Sequence, residues 1–385
     1  MRRLTIEVPP LPARGYPVVV GQGLLDPLGD FLEGQAGYHR LALVADDTVA
    51  RLHAPPLASA LEKRGHRVDL VSFPAGEAAK TRATKERLED RLLAAGLGRD
   101  SLILALGGGV SLDLAGFLAS TFMRGVPFVA LPTSVLAVVD SSIGGKTGVD
   151  TPAGKNMIGA FHPPRAVFAD LAYLNTLPVA EIRHGMAEAI KHGLIASAPH
   201  LEELEAHAGK ILGRDLDILE GVLLRSVSIK ARFVQLDERE AGARKALNFG
   251  HTFAHALERL SGWRIPHGAA VARGLVAECE LSARLGLLQG GVVRRVKEIL
   301  SRFGLPAAPF ADLDRDITPE PEGTLTASRY ISATQGDKKA RAGAVEYVLL
   351  DQVGRVARQE GGRWTWTVPE KIVREVLFPG GAAEG

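Results

Sequence analysis

Through the first 177 residues, short apolar runs alternate with stretches of helical periodicity. Leu41–Ala45, Val68–Phe73, Ser101–Leu106 and Phe128–Leu131 read as strands, and His53–Arg64, Thr81–Ala95 and Leu112–Phe122 as helices. Runs this apolar, with no polar alternation, predict a parallel sheet covered on both faces. Residues 4–8 and 16–20 do alternate and predict a hairpin. From Pro178 onward helical patterns dominate, over 178–196, 200–212, 215–236, 249–261, 268–285 and 291–303, with one late strand pair near 345–350 and 354–358. The expectation is an α/β fold: a Rossmann-like parallel-sheet domain over 1–177, then a mainly α-helical domain over 178–385. Asp312–Thr326 reads as a loop and Gly380–Gly385 as a disordered tail.

Composition changes this picture little. At 385 residues the chain can bury two cores, and 46% hydrophobic with 23% charged residues is ordinary for a soluble protein. A net charge of +2 gives no argument for nucleic acid or a membrane surface. The single cysteine, Cys279, excludes a disulfide within the chain. No apolar run has signal-peptide or spanning length, so the cytoplasm is the expected compartment. The 43 glycines are informative, because many fall in loops that follow predicted strands, where ligands of such sheets gather.

Four stretches carry candidate chemistry. In Asn248-Phe-Gly-His251-Thr-Phe-Ala-His255, two imidazoles sit at i and i+4 on one helical face, and His267 follows after a proline turn. Any one of them is also explained as a hydrogen-bonded core histidine. Glu188, flanked by Met186, Ala187 and Ala189 in a helical pattern, is poorly suited to solvent. If it reaches His251 and His267, three protein donors leave a coordination position for substrate, the pattern of a catalytic metal. Gly107-Gly108-Gly109 ends an apolar run and opens a helix, a geometry that serves either a pyrophosphate or a plain tight turn. Leu112 breaks the usual Gly-x-Gly-x-x-Gly spacing. Finally, Lys146 and Lys155 lie in glycine-rich surroundings that favour an anion over a solvated loop.

Longer motifs extend these readings. Pro-x-Gly-Glu-x-x-Lys, Leu-Gly-Gly-Gly-Val-x-x-Asp, Val-Asp-Ser-Ser-x-Gly-Gly-Lys-Thr, Gly-Lys-Asn-Met-Ile-Gly-Ala-Phe, Ala-Glu-x-Ile-Lys, Asp-Glu-Arg-Glu, Leu-Asn-x-Gly-His-Thr-x-x-His-Ala and a late Asp-Lys-Lys occur in order along nearly the whole chain. In this the chain resembles the 3-dehydroquinate synthases, members of the sugar-phosphate cyclases. The resemblance implies an NAD- and Zn2+- or Co2+-dependent enzyme, usually a homodimer, that converts 3-deoxy-D-arabino-heptulosonate 7-phosphate to 3-dehydroquinate and phosphate. The implied route is transient oxidation by NAD, phosphate elimination, re-reduction and aldol closure.

Site residues follow from the same resemblance. It places metal ligands on Glu188, His251 and His267. It places NAD contacts on Glu77, Lys80, Gly108, Gly109, Asp113, Thr133, Ser134, Asp140, Lys146, Lys155 and Thr176. Substrate and catalytic contacts fall on Arg124, Lys146, Lys155, Asn156, Lys191, Lys230, Glu240, Arg244, Asn248, His255 and Lys338. His255 is expected to relay protons. Ser134, Val138, Ala254 and Ala269 depart from the family's common residues without removing a ligand, and Leu112 must point away from any pyrophosphate.

Overall fold

In the computed structural model, which describes residues 15–35, 37–152, 154–308, 327–336 and 345–378, the apolar runs assemble into one six-stranded sheet. Its strands are β1 (Val18–Gly21), β2 (Arg40–Asp46), β3 (Arg67–Phe73), β4 (Ser101–Gly107), β5 (Phe128–Pro132) and β8 (Ala166–Asp170). All pair parallel, in the order β1-β8-β5-β4-β2-β3. Residues 41–45 and 102–106 are 2% exposed or less, because helices cover both faces. The chain leaves β2 toward β3 but leaves β4 toward β5, so the winding reverses between β2 and β4. That reversal opens a crevice at their carboxyl ends, where Ser111 donates to Asp46 at 3.0 Å.

Helix α1 (Leu25–Glu33), α2 (Asp47–Lys63), α3 (Arg82–Ala94) and α4 (Gly109–Thr121) flank the sheet. Then come α5 (Val179–Ala196), α6 (Ala198–Leu212), α7 (Leu216–Leu236), α8 (His251–Leu260), α9 (His267–Arg284) and α10 (Gly290–Arg302), matching the six predicted helical stretches. One apolar cluster runs from the sheet face through Val135 and Leu174 into these helices. No helix among the described residues is long and apolar enough to cross a membrane.

Several expectations need correction. Val18–Gly21 pairs parallel with Ala166–Asp170 in the main sheet, a strand the sequence reading missed; residues 4–8, its expected hairpin partner, lie outside the described residues. Helix α2 begins six residues before the expected His53, because Asp46 accepts from the amides of Thr48 and Val49 and caps it there. The glycine-rich stretch after Asp140 is not a loop but an antiparallel hairpin, β6 (Lys146–Thr151) with β7 (Gly154–Phe161). Its glycines serve close packing: a Cβ on Gly159 would stand 2.0 Å from the Thr147 carbonyl oxygen. The single late strand pair is two pairs, β9 (Glu346–Tyr347) with β12 (Trp366–Thr367) and β10 (Leu350–Gln352) with β11 (Arg355–Val356). Helices α11 (Ala327–Gly336) and α12 (Glu370–Leu377) were not foreseen. The expected loop 312–326 and tail 380–385 fall outside the described residues.

Candidate active site

Three helices bring the candidate metal donors together, and glycines permit their approach. A Cβ on Gly268, next to His267, would lie 2.1 Å from the His184 carbonyl oxygen, so α9 starts directly on α5. A Cβ on Gly274 would lie 1.9 Å from the Gly250 carbonyl oxygen, which seats the start of α8 on α9. As a result His251 Nε2 stands 3.3 Å, and His267 Nε2 3.4 Å, from Glu188 Oε1. Two donors each about 2.0–2.1 Å from a tetrahedral Zn2+ are separated by roughly 3.3 Å, so this spacing fits a bound ion. Glu188 is fully buried; its Oε2 is paired with the Lys191 ammonium, while its Oε1 faces the two imidazoles, where a metal would take its place among them.

Electrostatics at the cluster agree with that fit. Burial disfavours a charge on Glu188, yet Lys191 and His251 hold its carboxyl well below the usual range. Burial also disfavours charge on His267, but hydrogen bonds with Glu188 and Glu258 push its pKa up to about 10. A metal ion arriving here must displace that proton. Burial and Lys191 instead lower the pKa of His251. Asp140, Glu188 and His192 form a second close group, but Asp140 there is already paired with the buried ammonium of Lys230 at 2.5 Å. His255 lies one turn beyond His251, their rings 5.4 Å apart and edge-on.

Beside this cluster opens a cleft of about 740 Å³ between the β6–β7 hairpin and the helices. Of the residues singled out in the sequence, Asp113, Asp140, Lys146, Asn156, Lys230, Glu240, Arg244, Asn248, His251 and His255 line it, and Ser141, Arg239, Lys245 and Thr252 join them. Lys191, Lys230 and Arg244 are almost fully buried, and each has a polar partner. Lys230 donates to the Asp140 carbonyl at 2.6 Å, and Arg244 to the Glu238 carbonyl at 2.5 Å. Glu240 takes a bond from Asn248 at 2.5 Å and pairs with Lys146. Burial opposes its charge, but Lys146 and Asn248 keep its pKa low. Asn156 and Glu240 both hold left-handed backbone, at φ 55° and 60°, a strain that gathers at functional sites.

Most of the residues expected to contact a nucleotide lie toward the carboxyl ends of the sheet strands. Lys80 Nζ donates to Asp113 and to Asn156, each at 2.6 Å, joining three separate motifs in one contact. Lys155 lies 3.4 Å from Glu77 and 3.1 Å from Glu258. Gly108 caps α4 with extended backbone; a Cβ there would lie 3.6 Å from Ser134 Oγ, and one on Gly109 would lie 2.8 Å from Ser141 Oγ. Thr133 donates its amide to the Gly107 carbonyl at 2.9 Å. Leu112 is 2% exposed and packs within the apolar cluster. Thr176 is paired with His53 at 2.9 Å, and Arg124, in the turn after α4, is exposed; neither is among the residues lining the cleft. Lys338 lies outside the described residues. Asp46 and Glu258 escaped the sequence reading, although Glu258 continues the His251–His255 stripe one turn further.

The profile described as 3-dehydroquinate synthase N-terminal matches residues 70–184, and that described as 3-dehydroquinate synthase C-terminal matches 185–340. The chain belongs to the 3-dehydroquinate synthase family. Family relatives include 3-dehydroquinate synthases of Pelobacter propionicus, 42% identical over 88% of this chain and 91% of its own, and of Caulobacter vibrioides, 44% identical over 89% and 91%. Among solved structures, a 2-epi-5-epi-valiolone synthase from Streptomyces hygroscopicus with NAD+ and Zn2+ bound superposes with a TM-score of 0.83. It is 28% identical, covering 97% of this chain and 98% of its own. A 2-deoxy-scyllo-inosose synthase complexed with carbaglucose-6-phosphate, NAD+ and Co2+ shares the fold, at TM-score 0.81 and 24% identity over 94% and 95% of the two chains.

Proposed function

We propose that the chain is a 3-dehydroquinate synthase acting on 3-deoxy-D-arabino-heptulosonate 7-phosphate, with NAD and one Zn2+ or Co2+. The observation that carries this reading is the Glu188–His251–His267 donor set, at tetrahedral spacing, beside a cleft walled by Lys146, Lys230 and Arg244. When bound, the metal would polarise a substrate hydroxyl and NAD would take and return its hydride.

The chain's own residues account for the rest. Lys146, Lys230, Arg244 and Asn156 bind the phosphate and carboxylate ends. Lys230 and Arg244 are already desolvated, so an anion meets them at little further cost. Glu240 orients Lys146 and Asn248. His255 exchanges protons with the alcohol groups. Asp113, Asp140 and Glu240, acids lining the cleft, each hold a lysine. A general base for the elimination step is therefore scarce, which suits proton transfer to the departing phosphate itself. Glu77, Lys80, Gly108, Gly109, Asp113, Thr133 and Ser134 would hold the dinucleotide, and Asp140, Lys155 and Thr176 complete that assignment. Arg124, Lys191 and Lys338 complete the substrate set.

A two-domain division near Leu177, a homodimer and a cytoplasmic location belong to the same proposal. The deciding assay supplies the heptulosonate phosphate with sub-stoichiometric NAD to metal-loaded protein. Equal release of phosphate and dehydroquinate is expected. Phosphate without dehydroquinate, or steady accumulation of NADH, would refute the reading.

A further inference from the structure

The two histidines of the donor set are held differently at their second nitrogen. Nδ1 of His251 faces the Phe249 carbonyl oxygen at 3.2 Å. Nδ1 of His267 faces a carboxylate, Glu258 Oε1, at 3.4 Å. Glu258 is 2% exposed and stands on α8, seven residues after His251, so a different helix from that of His267 supplies it. The same oxygen lies 3.1 Å from Lys155 Nζ on β7, and that ammonium rests over the Trp263 ring, 4.6 Å from its centroid. A carboxylate buried this deeply needs partners, and the His267 imidazole and the Lys155 ammonium face it, with His255 also acting on its charge.

An imidazole ligates a metal only through an unprotonated nitrogen, so whatever accepts from the other N–H selects the ligating atom. We propose that Glu258 is a positioning residue: it takes the Nδ1–H of His267 and leaves Nε2 as the donor toward Glu188's metal, while Lys155 pins the carboxylate in place. His267 is thereby a more basic ligand than His251, whose Nδ1 has only a neutral carbonyl to bond. The hairpin that lines the substrate cleft is tied through Lys155 to the metal centre. This inference rests on the assignment of Glu188, His251 and His267 as metal ligands.

The test compares the parent with Glu258→Ala, Glu258→Gln and His267→Ala, each as the full chain titrated with Co2+ against a chelator, with its visible spectrum recorded. Glu258→Ala should weaken Co2+ binding about 10–100-fold and alter the ligand-field bands. Glu258→Gln, which keeps an acceptor oxygen, should recover most of both. Parental affinity and spectrum in a folded Glu258→Ala protein, while His267→Ala loses the ion, would overturn the inference alone. Parental affinity in His267→Ala would overturn the ligand assignment instead. Should the alanine variant not fold, ¹⁵N-histidine NMR of the Zn2+-loaded parent decides: a proton on Nδ1 of His267 is expected, and one on Nε2 overturns the proposal.

Discussion

At the scale of single residues, burial decides which side chains the sequence could expose and which it hid. Glu188 was legible because an acid among Met186, Ala187 and Ala189 has no ready route to water, and the structure leaves it fully buried. Glu258 was hidden, because an acid near a helix end reads as a solvated charge until its neighbours are known. His200 makes a related point about stability. It is solvent-inaccessible, and neither ring nitrogen has a hydrogen-bond partner. Burial, with Arg225 nearby, pushes its pKa down to about 4 from the ordinary 6.5. Below pH 6.5 the unfolded chain takes up a proton here that the folded chain refuses until about pH 4. Its contribution is therefore complete above that window and drains as pH falls through it, by up to about 3 kcal/mol. His200→Leu should flatten the loss of denaturant stability between these pH values. Equal pH slopes in the two proteins would remove His200 as a cause.

Elements were predicted well where periodicity alone specifies them, as in α5 to α10, and poorly where pairing across space does. The β6–β7 hairpin looked like a loop because its glycines signal flexibility locally; only the partner strand shows that they mark tight crossings. Strand β8, with its five residues Ala166–Asp170, was not read from the sequence. Two glycines separate packing from propensity. Gly221 sits mid-helix in α7 with open space at its Cβ position, so Gly221→Ala should stabilise by roughly 0.5–1 kcal/mol. Gly274 meets the Gly250 carbonyl, so Gly274→Ala should cost about 3 kcal/mol or more and weaken metal retention as α8 shifts. Urea midpoints of the two variants read both effects. A Gly274→Ala protein as stable as its parent would refute the close crossing.

At the scale of the molecule, the winding of the sheet and the stacking of α5, α8 and α9 bring Asp113, at the start of α4, and His251, at the start of α8, onto the same cleft. Assembly belongs to this scale too. The proposed homodimer predicts a sedimenting mass near twice 40.9 kDa, and a monomeric mass at working concentration would exclude it.

By itself the sequence determined the α/β beginning and the helical remainder, since burial periodicity is a local property of the chain. It also specified the histidine stripe on α8, because residues one turn apart must share a face. Which acid faces that stripe, which carboxylate each His267 nitrogen meets, and that Lys80, Asp113 and Asn156 meet in one contact were decided only by tertiary structure. Those groups come from separate elements, and their distances depend on backbone crossings that no local pattern encodes.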